Sequence, residues 1–188
     1  MGWLKNIIIE NKEVENERFE VTDNSKNLRI LGARFNDCTI EVKQELKTHQ
    51  DWIKTSLKGC RFKGRLMGCD FGHWPDYRSA PEYQHGFIED CDFSEARLDA
   101  CRFMGCDPTT LRFPKWPCFT FLDPLLRAPQ LRDIEWPGLF GRVIVEELHT
   151  QPTPTKALTY HAPSVARRME TTPEERRAVI EKFDCIIY

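Results

Sequence analysis

The residues with the most obvious chemical potential in this chain are its eight cysteines, because thiols can form disulfides, bind zinc or act as nucleophiles. They are Cys38, Cys60, Cys69, Cys91, Cys101, Cys106, Cys118 and Cys185. No two of them are spaced as a C-x-x-C pair, which speaks against a structural zinc site. Cys185 would be a reactive thiol if it were exposed, but its neighbours Phe183, Ile186 and Ile187 predict burial.

A second group with chemical potential is His73, Asp76 and His85, which lie in one short stretch. A carboxylate near two imidazoles suits metal binding or acid–base catalysis. No glycine-rich phosphate loop, nucleophile elbow or H-E-x-x-H motif accompanies them. We therefore expect a polar surface loop, with no catalytic residue, no metal, no cofactor and no enzymatic activity.

Most of the cysteines belong to a pattern with a period of five residues. Small residues stand at Gly86, Cys91, Ala96, Cys101 and Cys106, and a large apolar residue follows two places after each of the first four: Ile88, Phe93, Leu98 and Phe103. This period matches neither an amphipathic helix nor a strand. It indicates a repeat in which the chain changes direction every five residues. The small residue and the large apolar residue of each repeat then both point inward.

These repeats resemble the pentapeptide repeat family, whose pattern is A-[DN]-[LF]-x-x with Cys often replacing Ala. The resemblance implies a right-handed quadrilateral β-helix with about twenty residues per coil. In that register Phe93 stacks over Phe113, and Cys91 over Leu111. The cysteines then become buried, reduced packing residues, as is usual in the cytoplasm.

The repeats do not fill the chain, so we expect an all-β-dominated fold with additions. The predicted parts are an N-terminal cap over 1–25, the pentapeptide-repeat β-helix over 26–119 with loop excursions at 41–54 and 72–85, and a non-repeat C-terminal part over 120–188. The first excursion has a pattern that allows a short helix or a loop, and the β-branched core of Gly141–Leu148 favours a strand. Thr172–Glu175 forms a capping box with proline at the first helical position, which predicts a terminal α-helix.

The overall composition limits the classes of partner. The formal net charge is -2, which disfavours direct nucleic-acid binding. No apolar run is long enough to span a membrane or to act as a signal sequence. We therefore expect a cytoplasmic protein with a protein partner and no membrane partner.

Two surfaces are candidates for binding that partner. The excursion at 72–85 is rich in the residue types enriched at interface hot spots, and the outward positions of the regular repeats are rich in carboxylates. The predicted partner-binding residues are Trp74, Asp76, Tyr77, Arg78 and Tyr83 in the loop, and Glu89, Asp90, Asp92, Glu95 and Asp99 on the acidic run. The alternatives are that the loop aromatics fold back onto the body and that the acidic run is simply a solvated face.

The function that we predict is a non-catalytic protein-binding module, an immunity-type inhibitor that occludes a basic toxin or effector such as a nuclease. A second hypothesis comes from the family resemblance, since one branch of that family imitates duplex DNA and protects DNA gyrase. The short interrupted repeats and the small net charge speak against it. A third is an enzyme-associated module with its chemistry in the C-terminal part.

Overall fold

The computed structural model describes residues 7–22, 28–75 and 80–188. The strands in these ranges are β1 (Ile7–Glu10), β2 (Glu13–Glu15), β3 (Arg18–Val21), β4 (Leu28–Leu31), β5 (Arg34–Asn36), β6 (Thr39–Lys47), β7 (Ser56–Lys58), β8 (Arg61–Met67), β9 (Asp70–Gly72), β10 (Phe87–Glu89), β11 (Asp92–Asp99), β12 (Cys101–Met104), β13 (Cys118–Leu122), β14 (Thr155–His161) and β15 (Ile186–Ile187). The α-helices are α1 (Pro124–Arg132), α2 (Ala162–Arg168) and α3 (Pro173–Ile180). Short 3₁₀ turns lie at Asp51–Lys54, Pro81–His85, Pro108–Thr110 and Glu146–Thr150, and a π-helical turn at Gly141–Val145.

The described strands form four sheets. Two are four-stranded and parallel, in the orders β2-β5-β7-β10 and β3-β6-β8-β11, and β1 pairs with β4 in a two-stranded parallel sheet. The fourth sheet has the order β9-β12-β14-β13-β15 and mixes both directions, because β14 is antiparallel to β12 and to β13.

This architecture shows that the prediction of an all-β-dominated, right-handed quadrilateral pentapeptide-repeat β-helix is wrong. Across the described ranges the fold is mixed α/β, with several parallel sheets and helices and no closed solenoid. One physical reason is that the spacing between paired strands is not constant: Arg34 pairs with Ser56 and Ser56 with Phe87, so the step grows from 22 to 31 residues. Another is that β14, from the C-terminal part, takes the place beside β12 that a further repeat would fill.

The five-residue spacing does determine which side chains face inward. The rings of Phe62 and Phe93 are stacked with centroids 4.7 Å apart, and those of Phe71 and Phe103 are stacked at 5.2 Å. All four rings are fully buried. All eight cysteines are free thiols, and each is buried except Cys106, which is half-buried.

The first excursion, 41–54, enters the core and contains a short 3₁₀-helical turn after an extended strand. The strand β6 extends to Lys47, and a 3₁₀ turn at Asp51–Lys54 follows. Trp52 in this turn is 1% exposed, meets the Phe62 ring edge-on at 5.4 Å and stacks on Phe71 at 6.0 Å. The excursion therefore supplies one of the largest buried side chains in the protein.

The C-terminal part packs its helices against β13 and β14 through a second apolar cluster. Phe119, Phe121, Leu158 and Tyr160 of the two strands contribute to this cluster. The capping box of α3 is present, since Thr172 Oγ1 accepts from the Glu175 backbone N–H and Glu175 accepts from the Thr172 N–H. The chain does not end in that helix as predicted, because β15 follows and pairs with β13.

One charged residue lies inside this second cluster. Arg176 is fully buried, and its three guanidinium nitrogens have no hydrogen-bond partner among the described residues. Its guanidinium carbon lies 4.0 Å from the centroid of the Phe140 ring, so a cation–π contact is its main compensation. Burial lowers the pKa of Arg176 to about 10.

No helix in the described ranges has both the length and the apolar character needed to cross a lipid bilayer.

We predict that Phe93→Ala lowers the free energy of unfolding by about 3–5 kcal/mol, because a buried aromatic ring is lost and a cavity is left. Urea denaturation would measure the change. Phe87→Ala is the matched control, since Phe87 is 43% exposed and should give a much smaller loss. Equal losses for the two variants would contradict the packing described for β11.

We predict that Arg176→Met raises the free energy of unfolding by about 1–2 kcal/mol, since it removes an unpaired buried charge at the expense of the contact with Phe140. Thermal unfolding of Arg177→Met, at an exposed neighbour paired with Glu181, provides the control and should differ little from wild type. Strong destabilisation by Arg176→Met would show that the guanidinium has a partner in solution.

Candidate partner-binding site

The acidic run predicted from the sequence is charge-balanced in the structure. Three of its carboxylates pair with cations on the neighbouring strand. These pairs are Glu89 with Lys58 (2.9 Å), Asp92 with Arg61 (3.8 Å) and Glu95 with Lys63 (2.8 Å). Asp90 has no ion pair within the described part of the chain. The run is therefore not a strongly negative surface.

The Asp92 carboxylate is stabilised in its charged form by hydrogen bonds and nearby cations. Burial alone would raise its pKa, but hydrogen bonds from the Ser94 side chain and backbone, with the charges of Arg61 and Arg112, hold the pKa below its usual value. The Ser94 backbone N–H and hydroxyl lie 2.9 and 2.6 Å from Asp92 Oδ1.

Asp99, the last of the predicted acidic residues, is buried. It accepts two hydrogen bonds from Arg168 Nη2, at 3.0 and 3.2 Å, and one from the His161 backbone N–H at 3.3 Å. These bonds connect β11 with β14 and α2, so the Asp99 carboxylate stabilises the contact between the repeats and the C-terminal part.

The aromatic loop is only partly described, since Asp76, Tyr77 and Arg78 lie outside the described residues. Trp74 is half-buried, and the guanidinium carbon of Arg102 lies 5.5 Å from the centre of its ring. Arg102 in turn makes a two-point ion pair with Asp70, with both N–O distances at 2.7 Å.

Tyr83, at the other end of this loop, is also half-buried, and Lys54 Nζ lies 5.0 Å from its ring centroid. Both described ends of the loop therefore pack their aromatic side chains on the body of the protein.

A different surface lies at the outer edges of β1, β2 and β3, which no other described strand covers. On either side of β2, the Lys12 carbonyl accepts from the Arg34 N–H (2.8 Å), and the Asn16 N–H donates to the Asn36 carbonyl (3.0 Å). Because alternate residues of a strand direct their backbone groups to opposite sides, the N–H and C=O groups of Glu13 and Glu15 face away from the sheet.

This edge carries an excess of negative charge. Residues 7–22 contain five glutamates but only two cations, Lys12 and Arg18. Arg18 pairs with Glu20 and Glu41. The remaining four glutamates are exposed and have no ion pair in the described ranges: Glu10, Glu13, Glu15 and Glu17. We call these four residues and the outer edges of β1–β3 the acidic edge.

An apolar depression adjoins the acidic edge. Its volume is about 30 Å³, which is roughly that of one water molecule and too small for a small-molecule ligand. It is lined by Ile9, Phe19, Glu20, Val21, Leu28, Ile30, Phe35, Ile40 and Trp52. Ile8 in β1 is 56% exposed.

The acidic edge is not predicted from the sequence, although its glutamates are visible there. A glutamate-rich stretch looks like any solvated surface. Its importance follows from two facts that only the structure supplies, namely the open strand edges and the lack of an ion pair to any of these four glutamates within the described ranges.

Comparison with known protein families matches none of them, and comparison with curated protein sequences yields no relative. Function must therefore be inferred from the surface itself. Among the described residues, no three or more His, Cys, Asp or Glu side chains are grouped so as to hold a metal ion.

Seven of the eight thiols are buried, and at several of them burial opposes ionisation, whereas the hydrogen bond with Cys91 lowers the pKa of Cys60. Burial raises the pKa of Cys101, Cys118 and Cys185, and raises that of the half-buried Cys106 to about 12. Since the thiolate is the reactive form, none of these four residues is expected to act as a nucleophile near neutral pH.

We predict that the native protein reacts slowly with Ellman's reagent at pH 8, and that all eight thiols react after denaturation in urea. Absorbance at the released thiolate measures both stages. A native thiol that reacts at the rate of free cysteine would show an accessible, low-pKa site and would contradict the burial described here. Fewer than eight thiols after unfolding would indicate a disulfide.

Proposed function

We propose that this chain is a protein-binding module, an immunity-type inhibitor whose acidic edge receives a basic, extended segment of a toxin or effector protein. The observation that carries the proposal is the coincidence of open strand edges with four exposed glutamates that lack ion pairs. Strand addition to a sheet edge is a recurrent way in which proteins bind peptides, with backbone hydrogen bonds providing affinity.

The side chains of β2 favour a particular pattern of residues in the partner segment. A strand added beside β2 would place alternate side chains next to Glu13 and Glu15, which are exposed, and the intervening one next to Val14, which is partly buried against the core. Lysine or arginine is favoured opposite each glutamate, and an apolar residue between them. Each cross-strand pair of opposite charges contributes about 0.2–1 kcal/mol.

Charge also explains why the partner should be a basic protein rather than a second copy of this chain. Two copies meeting through their acidic edges would bring like charges together, and charged edge strands commonly prevent such pairing. Proteins that bind nucleic acids need basic segments to contact phosphates. Occupying such a segment would inhibit a nuclease-type toxin.

The DNA-imitating hypothesis required a long closed coil, which the described part of the chain lacks.

The inhibitory role can be tested with the product of the adjacent gene, if that gene encodes a toxic protein. Co-expression with this chain should rescue growth and yield a complex on purification. A toxic neighbour that is neither bound nor neutralised would contradict the inhibitor proposal.

We predict that Glu13→Lys, Glu15→Lys and Glu17→Lys together weaken partner binding at least about tenfold and abolish rescue, because they reverse the charge of the acidic edge. Isothermal titration measures the affinity. The matched control is Glu135→Lys, Glu147→Lys and Glu170→Lys, three exposed glutamates of the C-terminal part with the same total change in charge. Equal weakening by both sets would assign the effect to net charge alone.

A peptide of about eight residues that alternates lysine and valine tests the mode of recognition separately from the inhibitory role. It should bind the wild-type chain more tightly than an isomer with its lysines and valines in separate blocks. Glu15→Pro, which removes an outward-facing N–H and keeps the bonds to β5, should reduce this preference. Equal binding of the two peptides would exclude strand addition.

A further inference from the structure

A second cavity, of about 480 Å³, lies where β8 and β11 meet the start of β13 and the end of β14. Its volume falls within the range of about 300–1,000 Å³ that is usual for small-molecule sites. The cavity is lined by Gly64, Arg65, Ser94, Glu95, Ala96, Arg97, Pro114, Lys115, Trp116, Pro117, Cys118 and His161. None of these residues belongs to the acidic edge.

The charged residues that line this cavity are predominantly basic. Arg97 is neutralised by Glu45 at 2.7 Å, and Glu95 is neutralised by Lys63 at 2.8 Å. Arg65 and Lys115 are exposed and have no ion pair in the described part of the chain. Two positive charges are thus left uncompensated in the cavity wall.

A buried imidazole also lines the cavity. His161 is 7% exposed, and its Nδ1 lies 2.8 Å from the Ser164 hydroxyl. Its Nε2 has no hydrogen-bond partner among the described residues. Burial and the charge of Arg97 lower the pKa of His161, so the ring is neutral near pH 7. If the Ser164 hydroxyl donates to Nδ1, then Nε2 carries the proton and can donate it to a ligand.

Trp116 adds an apolar wall to this polar set. It is half-buried, and the guanidinium carbon of Arg177, which is paired with Glu181, lies 5.3 Å from its ring centroid. Apolar walls with a few polar groups are typical of ligand sites.

We propose that this cavity binds a small organic phosphate, whose anionic group is held by Arg65, Lys115 and Nε2 of His161 and whose organic part contacts Trp116. A phosphate monoester carries a charge of about -1.5 to -2 at pH 7, which matches the two unpaired cations. The cavity is far larger than inorganic phosphate requires, so an organic part has room to bind. This inference does not depend on the function proposed for the acidic edge.

The test uses the full chain, with AMP as the probe and the ring proton signals of His161 in an NMR titration as the readout. AMP should shift these signals saturably. Adenosine, which lacks the anion, should not shift them, and inorganic phosphate should bind about tenfold more weakly than AMP because it lacks the organic part.

We predict that Lys115→Ala and Arg65→Ala each weaken AMP binding about tenfold, which is the loss expected for one charge-assisted hydrogen bond. Lys182→Ala, which removes an exposed lysine on the C-terminal part, should leave the affinity unchanged. Because Lys115 and Arg65 are both exposed, neither substitution is expected to affect folding, and circular dichroism verifies this.

Three results would overturn the proposal. One is a His161 signal that does not move at saturating AMP, or that moves equally with sodium chloride of the same ionic strength. Another is equal binding of adenosine and AMP, which would show that the cavity selects the ring and not the anion. The third is equal affinity in Lys115→Ala and Lys182→Ala.

Discussion

The contact between two pairs of stacked phenylalanines holds two of the four described sheets together. Phe62 and Phe93 stack within one sheet, and Phe71 and Phe103 within another. The two pairs meet edge to face, with centroids 5.1–5.5 Å apart. Both geometries are favourable for aromatic rings, so one cluster joins strands within each sheet and also joins the two sheets. Trp52 packs against one side of this cluster, in contact with Phe62 and Phe71.

The sequence was sufficient to predict the repeat phenylalanines of this cluster, but it predicted neither the place of Trp52 nor how the chain connects these residues. The five-residue spacing placed Phe93 and Phe103 inside, as found, because spacing determines inward and outward directions. It contains no information on the distant strand β14, which enters beside β12 and prevents a closed coil. Gly141–Leu148 became helical turns despite its β-branched residues, since burying Val145 and Leu148 in the second cluster outweighs strand propensity.

The surface was harder to predict than the core, and for a related reason. The charge of a residue is visible in the sequence, but its counter-charge is not. Glu89 and Glu95 looked like parts of a negative patch, yet lysines more than thirty positions earlier lie beside them on the neighbouring strands. Conversely, Glu13 and Glu15 looked unremarkable because nothing in the sequence shows that β2 ends a sheet. Uncompensated charge is a property of strand order, and strand order depends on long-range pairing.

The insertion of β14 between β12 and β13 has a consequence for synthesis of the chain. Cys101 pairs with Thr159, which leaves the ribosome 58 residues later. At translation rates of about 5–20 residues per second, the free edge of β12 waits about 3–12 seconds for its partner. During that interval the aromatic cluster can already assemble, while an unpaired strand remains open beside it. The nascent chain is then most vulnerable to mispairing, and a chaperone that binds extended segments would protect it at this stage.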